Sequence, residues 1–267
     1  KNGNELARKA IMTTDTNYKE TAVEAEVGGK PVRIGTMAKG SGMIHINMGT
    51  MLSVITTDCA ITPKMLKSAL RESVEKTYNC VSVDGDTSTN DTLIILASAL
   101  AGNKTITRKN TDYAAFLEAL NAVNTEMARK IAGDGEGAEH LLECTVTGAK
   151  NDKTARALAK QVISSSLVKA AFFGKDANWG RILCAMGYSG EVFDPAGTSV
   201  SFSSGAGDIA VFEKGVPLSF DEDKAKLVLT EGEVTIKIDL ADGTGCGTAW
   251  GCDLIYEYVK INGDYRT

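Results

Sequence analysis

The residues of this chain that are best suited to do chemistry lie in one stretch, 39–52, with the sequence KGSGMIHINMGTML. It joins a cation, Lys39, to a Gly-rich turn and to a hydroxyl residue, Thr50, that directly follows Gly49. A threonine hydroxyl is a poor nucleophile unless a base lies beside it. A cut between Gly49 and Thr50 would free an α-amine that can serve as this base. A threonine in a Gly-rich segment is more often an ordinary turn or strand residue, so the residues alone leave both interpretations open.

The chemistry of such a cut would be specific. The Thr50 hydroxyl would attack the Gly49 carbonyl, the amide would shift to an ester, and water would release two chains. Thr50 would then carry a free α-amine with an ordinary pKa of about 8, so about a tenth of it would be neutral at pH 7. That amine could take the proton of its own hydroxyl at short range. Glycine before the cut leaves the backbone free to adopt a strained scissile peptide.

The composition is that of a soluble globular protein with room for one large domain or two modest ones. The chain has 267 residues, of which 43% are hydrophobic and 24% are charged, and its net charge is -5. This charge disfavours nucleic acid or an anionic membrane as the main partner. Its apolar runs are far too short to span a membrane. The chain opens at Lys1 without a signal-peptide pattern, so we expect a cytoplasmic protein with further sequence upstream.

Metal sites find little support in the sequence. None of the six cysteines forms a C-x-x-C pair, and there are two histidines, His45 and His140. We therefore expect no metal, and reduced, buried cysteines in a cytosolic protein. A faint calcium-loop pattern over Asp84–Asp91 has Thr89 where glycine is needed and Ile95 where glutamate is needed, so a helix cap or a polar turn is favoured.

Helical and strand patterns alternate along the chain, which predicts the mixed α/β class. The predicted helices cover 64–78 after Pro63, a stretch from Thr111 or Asp112 to the glycines at 133–135, and a stretch capped by Asn151-Asp152 that reaches Leu167. The predicted strands cover 142–147, 200–202, 234–240 and 250–258. The change from helical to strand-rich sequence divides the chain into a nucleophile-bearing part, 1–180, and a strand-rich C-terminal part, 181–267.

Six motifs and the end of the chain match one known family in order. They are Ile11–Thr16, Lys39–Asp58, Asp84–Asp91, Asp134–Gly137, Gly174–Arg181 and Ala249–Asp253, and the chain ends with Lys260–Thr267. Any one of these motifs is weakly specific, but six in order with a matching end are highly specific. The chain therefore resembles, nearly end to end, the glutamate N-acetyltransferases (ornithine acetyltransferases) of arginine biosynthesis, which are self-processing enzymes with a threonine nucleophile.

The resemblance implies a layered α/β sandwich, as in ornithine acetyltransferases and self-processing amidohydrolases. It implies that Thr50 is the acetyl acceptor and the new N-terminus after the cut at Gly49-Thr50. The positions that match the family's substrate-binding residues are Thr13, Lys39, Thr50, Glu136, Asn262 and Thr267. An amino-acid substrate carries a carboxylate and an ammonium, so Lys39 can pair with the first and Glu136 with the second. The alternative is that both are solvated surface charges, the commoner fate of such residues.

The same resemblance implies the reaction and the partners. N-acetylornithine would acylate Thr50, ornithine would leave, and glutamate would take the acetyl group in a ping-pong sequence. One amide is exchanged for another, so no cofactor is expected, although some relatives also use acetyl-CoA as the donor. The expected protein partners are the chain's own cleaved N-terminal fragment and further copies of the paired fragments in an oligomer.

Two departures from the family pattern leave alternatives open. Gly49 stands where the family usually has alanine, and the upstream Thr-Gly pair that forms the family's oxyanion hole has no counterpart in this chain. Losing such donors typically costs ~3 kcal/mol or more of transition-state stabilisation each. One alternative is a self-processed aminopeptidase or amidohydrolase of similar architecture, which would pass the acyl group to water. The other is a non-catalytic metabolite-binding fragment.

Overall fold

The computed structural model of the chain describes residues 3–45 and 51–265. The chain folds into two compact units, one formed by Lys1–Asn79 with Asp86–Ile131 and the other by Cys80–Gly85 with Ala132–Thr267. The described residues form eight α-helices and two β-sheets, which confirms the mixed α/β class. The boundary that the sequence indicates between residues 180 and 181 marks a change of composition, and it stays a prediction.

The first half of the chain begins with a short helix, continues with strands and a second helix, and ends with the longest helix of the described residues. In chain order its elements are α1 (Gly3–Ala10), β1 (Lys19–Val27), β2 (Lys30–Lys39), β3 (Ile44–His45), β4 (Leu52–Thr57), α2 (Pro63–Val74), β5 (Val81–Thr87), β6 (Thr92–Ala97) and α3 (Thr111–Gly133).

The sheet of the first unit has the strand order β1-β2-β4-β6. Strand β2 is antiparallel to both of its neighbours, β1 and β4, and β6 runs parallel to β4. One consequence of the register matters for the site: Lys39 lies opposite Leu52, and Leu52 lies opposite Thr92. The end of β2 and the starts of β4 and β6 therefore lie side by side.

The core of the first unit lies between one face of this sheet and the helices α2 and α3. Because side chains alternate along a strand, Val32 and Ile34 of β2 point to the same face, and they pack in one cluster with Ile55, Phe116 and Leu120. The predicted apolar stripe of α3 is confirmed. Its members are all buried; they are Phe116, Leu120, Val123, Met127 and Ile131.

Helix α2 is shorter than the sequence pattern indicates. The helix begins at Pro63, one residue before the predicted start, and it ends at Val74. Tyr78 lies beyond the helix in a 3₁₀ turn, fully buried, and its hydroxyl is 3.0 Å from the Ser53 hydroxyl. The apolar period continues past the helix because Tyr78 is buried from a different backbone conformation.

The second half of the chain supplies most of the second unit. In chain order its elements are β7 (Leu141–Ala149), α4 (Asp152–Ser164), α5 (Ser166–Phe173), α6 (Trp179–Gly187), β8 (Ser199–Ser204), β9 (Gly207–Glu213), β10 (Val216–Pro217), α7 (Glu222–Thr230), β11 (Glu233–Asp239), β12 (Gly245–Cys252) and α8 (Tyr256–Asp264). Its strands follow the order β10-β9-β8-β11-β7-β12-β5, with β11 parallel to β7 and β12 antiparallel to it.

Helix α4 packs closely on β7 and β12. Its start is capped as predicted, because the Asn151 side chain accepts the Thr154 amide at 3.0 Å. Glycines on β12 permit the close approach of α4: a Cβ added at Gly247 would lie 2.5 Å from the backbone nitrogen of Arg156. The predicted strand over 142–147 is confirmed within β7.

Two element boundaries differ from the sequence prediction. Leu167 lies in α5 rather than α4, because Ser165 leaves helical geometry and its hydroxyl caps the new helix at the Val168 amide. The strand predicted over 250–258 is wrong beyond Cys252, and residues from Tyr256 onward form α8. The alternating apolar pattern misled here because Tyr256 is 82% exposed and does not contribute to a sheet core.

Two smaller expectations can also be compared with the fold. The polar stretch 88–91 connects β5 to β6. The segment Asp84–Asp91 therefore ends in a polar turn between two strands, as the sequence favours. Among the described residues, no helix has both the length and the apolar character needed to cross a membrane.

Candidate functional site

Four of the six residues that match substrate-binding positions fall within the described residues, and they form two hydrogen-bonded pairs. Thr13 and Lys39 belong to the first unit, and Glu136 and Asn262 belong to the second. Thr50 and Thr267, together with the Gly49-Thr50 junction, lie outside the described residues. The structure therefore shows the geometry of two parts of the candidate site, the pair Thr13 and Lys39 and the pair Glu136 and Asn262.

Lys39 is the last residue of β2 and is buried, with 9% of its surface exposed. Its ammonium donates a hydrogen bond to the Thr13 hydroxyl at 3.2 Å. An ammonium has three donor hydrogens, and Thr13 accepts one of them. A buried cation is costly unless anionic or polar groups surround it, so this position suits the recognition of a carboxylate. The alternative that Lys39 is a solvated surface charge is wrong.

Asp15 fixes the two chain segments that carry this pair. One of its oxygens accepts the Gly40 amide at 2.7 Å and the Lys19 ammonium at 2.6 Å, and the other accepts the Thr13 amide at 3.2 Å. Burial acts to raise the pKa of Asp15, but the Gly40 amide and Lys19 outweigh it and hold the pKa below its ordinary value. The carboxylate thus ties the turn at Thr13 to the backbone directly after Lys39.

The chain next to the expected nucleophile is fixed at the same end of the sheet. Met51 donates its amide to the Asp91 carboxylate, and its carbonyl accepts the Thr92 amide at 2.8 Å. Met51 and Asp91 also line a cavity of about 540 Å³, a size that suits a small molecule. The sequence alone indicates no role for Asp91, although Asp91 is the last residue of one of the six motifs.

Glu136 and Asn262 form the second pair. The Asn262 amide donates to the Glu136 carboxylate at 2.7 Å and to the Tyr258 carbonyl at 3.0 Å. Asn262 lies on α8, and Glu136 lies in the loop between α3 and β7. Loop and helix approach closely at Gly137, which has a φ of +76° and where a Cβ would lie 2.9 Å from Glu257. One Glu136 oxygen is thereby oriented, which leaves the carboxylate suited to bind an ammonium.

A carboxylate–histidine–lysine chain in the second unit escaped the sequence analysis. The Asp253 carboxylate accepts the His140 ring nitrogen Nδ1 at 2.7 Å, and Nε2 of the same ring lies 2.8 Å from the Lys175 ammonium. Because a lysine ammonium only donates, Nε2 accepts and Nδ1 carries the proton. Burial acts to raise the pKa of Asp253, but His140 and two backbone amides outweigh it and lower the pKa.

The sequence gave only a partial signal for this chain of contacts. Lys175 and Asp253 each lie in a motif that matches the family, but 113 residues separate His140 from Asp253. Asp253 also accepts the backbone amides of Glu139 and His140 at 3.0 and 3.1 Å, so it anchors the end of the loop that carries Glu136.

Glu139, His140 and Asp253 bring ligand atoms within 4.8 Å of one another, as a cation site would require. Both ring nitrogens of His140 and both oxygens of Asp253 already make hydrogen bonds. A cation would have to displace these bonds, so the geometry is that of an oriented histidine. The expectation that the protein carries no metal stays a prediction.

Comparison with known proteins gives consistent results. A family model described as the ArgJ family matches residues 1–267. The arginine biosynthesis bifunctional protein ArgJ 1 of Clostridium acetobutylicum is 52% identical over 258 residues, which cover 97% of this chain and 63% of that protein. The arginine biosynthesis bifunctional protein ArgJ of Caldanaerobacter subterraneus subsp. tengcongensis is 49% identical over 267 residues, covering 100% of this chain and 66% of that protein.

A solved structure agrees with these relatives. The crystal structure of the arginine biosynthesis bifunctional protein ArgJ from Bacillus halodurans superposes with a TM-score of 0.74 and 44% sequence identity, covering 79% of this chain and 97% of that one. The resemblance drawn from the six motifs is thereby confirmed. The chain spans slightly less than two thirds of the length of the curated relatives it matches, 63% and 66% in the two cases above.

Proposed function

The chain belongs to the ArgJ family, and from this premise we propose that it carries the nucleophile and substrate-binding residues of an acetyltransferase of arginine biosynthesis. The enzyme moves the acetyl group of N-acetylornithine to glutamate. The observation that carries the proposal is the family match along residues 1–267. The burial of Lys39 beside Thr13 supports it, because a buried ammonium at the end of a strand is suited to bind the carboxylate of an amino acid.

The first step is self-cleavage between Gly49 and Thr50. The Thr50 hydroxyl adds to the Gly49 carbonyl carbon, the C–N bond breaks, and the proton of the hydroxyl passes to the freed nitrogen. The resulting ester is hydrolysed by water, which leaves a carboxylate on Gly49 and an α-amine on Thr50. The nucleophile and its base are then the same residue.

Acetyl transfer follows as two matched half-reactions. The Thr50 α-amine takes the hydroxyl proton while the oxygen attacks the acetyl carbonyl of N-acetylornithine, and the proton then passes to the leaving nitrogen of ornithine. The amine of glutamate attacks the acetyl ester, and the Thr50 oxygen leaves and regains its proton. An amide is broken and an equivalent amide is formed, so neither ATP nor a redox cofactor enters the balance.

Substrate recognition follows from charge. Lys39 binds the substrate carboxylate, and Glu136, oriented by Asn262, binds an ammonium or amine. Thr13 orients the Lys39 ammonium through its hydroxyl, and Thr267 completes the set by family resemblance. The use of acetyl-CoA as a second acetyl donor is part of the proposal and needs its own assay.

The proposal also covers the protein's assembly and its cellular compartment. The N-terminal fragment released by the cut stays paired with the chain that begins at Thr50, and the pairs assemble into an oligomer. The enzyme acts in the cytoplasm.

The test uses the complete protein, N-acetylornithine and isotope-labelled glutamate. We expect labelled N-acetylglutamate, two chains by intact mass, and an acetyl group on the fragment that begins at Thr50 when glutamate is omitted. Acetate without acetylglutamate would instead support a self-processed amidohydrolase. A single uncut chain without turnover would support a non-catalytic metabolite-binding protein.

A further inference from the structure

The loop that carries Glu136 is closed into a tight turn. Ala138 donates its backbone amide to the Gly135 carbonyl at 2.8 Å, so residues 135–138 form a β-turn with Glu136 at its second position. Gly137, at the third position, has a φ of +76°, the sign that a type II turn needs there. Because the hydrogen bond closes the turn, a constraint on the residue after Ala138 also limits the position of Glu136.

Asp253 supplies that constraint. One oxygen of its carboxylate, Oδ1, accepts the backbone amides of Glu139 and His140 at 3.0 and 3.1 Å. The chain holds Asp253 itself in place, because it directly follows β12, whose last residue, Cys252, pairs with Leu141 of β7. The acceptor thus lies at the end of a paired strand, and the loop takes its position from that strand end.

The second oxygen of Asp253 keeps the carboxylate from rotating. Oδ2 lies 2.7 Å from Nδ1 of the His140 ring, and Nε2 of the same ring lies 2.8 Å from the Lys175 ammonium. Because an ammonium only donates, Lys175 keeps Nε2 as an acceptor and the ring proton on Nδ1, where Asp253 accepts it. Asp253 and His140 are both buried, and a buried polar network with its bonds in place is rigid. His140 and Lys175 therefore hold Asp253 in the orientation that accepts the two loop amides.

Asp253 also leads into the helix that supplies the partner of Glu136. Helix α8 begins at Tyr256, three residues after Asp253, and Asn262 of this helix donates to Oε2 of Glu136 at 2.7 Å. The loop reaches Asp253 through hydrogen bonds, and the helix reaches it through the backbone. One carboxylate thus sets the position of both members of the pair. Placement matters because a charged hydrogen bond to a ligand depends on its geometry, and small displacements weaken it.

We propose that Asp253 is a positioning residue for substrate binding, which acts through the loop to hold the Glu136 carboxylate where it binds the ammonium of the substrate. His140 and Lys175 act with it by orienting its carboxylate. This inference rests on the proposed function, because it requires that Glu136 binds an ammonium. None of the three side chains needs to touch the substrate, so their effect on binding should disappear when Glu136 has no charge to place.

A double-mutant cycle in the complete protein tests this coupling. The readout is kcat/KM for N-acetylornithine, because in a ping-pong reaction this ratio reports only on the donor half-reaction, in which the donor's ammonium does not react. Glu136→Gln keeps an acceptor for Asn262 and removes the charge, so kcat/KM is expected to fall about tenfold.

The second change in the cycle is Asp253→Asn. It leaves one acceptor oxygen where there were two, so the side chain cannot accept both the loop amides and the ring proton of His140. We expect kcat/KM to fall about fivefold in the wild-type background and less than twofold in the Glu136→Gln background. A merely structural role would lower the ratio by the same factor in both backgrounds, and that result overturns the proposal.

Two further variants keep the test decisive. Asp223→Asn, an exposed position at the start of α7, is the matched control and should leave kcat/KM unchanged in both backgrounds. If Asp253→Asn does not yield folded protein, the cycle is repeated with His140→Gln, which removes the Nδ1 donor and offers Lys175 an amide oxygen. The same loss of effect in the Glu136→Gln background is expected, and an equal effect in both backgrounds overturns the proposal.

The outcomes separate this proposal from the proposed function. A wild-type protein that stays uncut and transfers no acetyl group overturns the proposed function, and the role of Asp253 falls with it. An unchanged kcat/KM in Glu136→Gln removes Glu136 from substrate binding and has the same consequence for Asp253. With an active wild type and a weakened Glu136→Gln variant, equal effects of Asp253→Asn in the two backgrounds overturn only the role of Asp253.

Discussion

Lys39 is a buried charge to which the proposed function gives a role in substrate binding more than in folding. Its ammonium donates a hydrogen bond to Thr13, and Lys39 lies at the end of β2. Methionine preserves most of the stem volume and removes the charge. For Lys39→Met we expect KM for N-acetylornithine and for glutamate to rise at least tenfold, because a charged hydrogen bond to the carboxylate is lost. The melting temperature should change little.

Steady-state kinetics and thermal unfolding check this prediction together. The matched control is Lys30→Met, an exposed position at the start of the same strand, which should alter neither KM nor melting temperature. An unchanged KM combined with a large fall in melting temperature would show that Lys39 serves the fold and not the substrate.

Asp15 is a buried charge that stabilises the fold of the first unit. Its side chain and that of Lys19 are almost fully buried, with 0% and 1% of their surface exposed, and their charged atoms lie 2.6 Å apart. The folded pKa of Asp15 lies below its ordinary value. The carboxylate therefore contributes stability above the unfolded pKa of about 4 and loses it as the pH falls through the folded pKa.

Asp15→Asn is expected to destabilise the protein by about 3 kcal/mol at pH 7, because Lys19 keeps its charge in a buried place without the carboxylate. The difference from wild type should begin to narrow as the pH falls below about 4, where the unfolded carboxylate takes up a proton, and should be lost below the lower folded pKa, where the native carboxylate is protonated as well. Urea unfolding across this pH range measures it. Asp208→Asn, which breaks an exposed ion pair with Lys237, is the control and should unfold close to wild type. A constant difference at every pH would contradict the assigned role.

At the scale of elements, the apolar period of the sequence predicted what lies inside long helices and strands but not where they end. The stripe of α3 and the strand β7 follow from periodicity alone, because one face of each is buried along its whole length. The ends of α4 and β12 coincide with hydrogen bonds of individual side chains: the Ser165 hydroxyl caps a new helix, and Asp253 accepts two loop amides directly after the strand. These bonds leave no periodic trace in the sequence.

Packing of α4 against β12 yields a prediction about one glycine. A Cβ at Gly247 would lie 2.5 Å from the Arg156 nitrogen and 2.9 Å from the Ala155 carbonyl carbon, and backbone atoms in a helix cannot move aside singly. Gly247→Ala should therefore destabilise the protein by about 2 kcal/mol through overpacking. Gly187→Ala in α6, where a Cβ would meet nothing within 4 Å, should not destabilise it. Urea unfolding of both variants measures their free energies of unfolding. Equal free energies of unfolding for the two variants would show that α4 can shift to accommodate the added Cβ.

At the scale of the whole molecule, the sequence indicated the family because six motifs occur in the order that the family has. Each motif alone is weakly specific, but their shared order is highly specific. It also named four residues that form two hydrogen-bonded pairs, Thr13 with Lys39 and Glu136 with Asn262. It could not find Asp91 or the contact of His140 with Asp253. Both depend on which residues meet in space, and 40 and 113 positions of chain separate the partners.

In the proposed function, one hydroxyl governs both the number of chains in the molecule and its reaction. If the Thr50 oxygen cuts the backbone and later accepts the acetyl group, Thr50→Ala must leave a single uncut chain and lower acetyl transfer to background, because the variant has neither nucleophile nor freed amine. Intact mass and the labelled-glutamate assay measure the two effects on one preparation. Thr56→Ala, an exposed threonine on the adjoining strand β4, is the control and should be cut and active. A Thr50→Ala protein that still transfers acetyl groups would show that a different residue is the nucleophile, whatever the state of the junction.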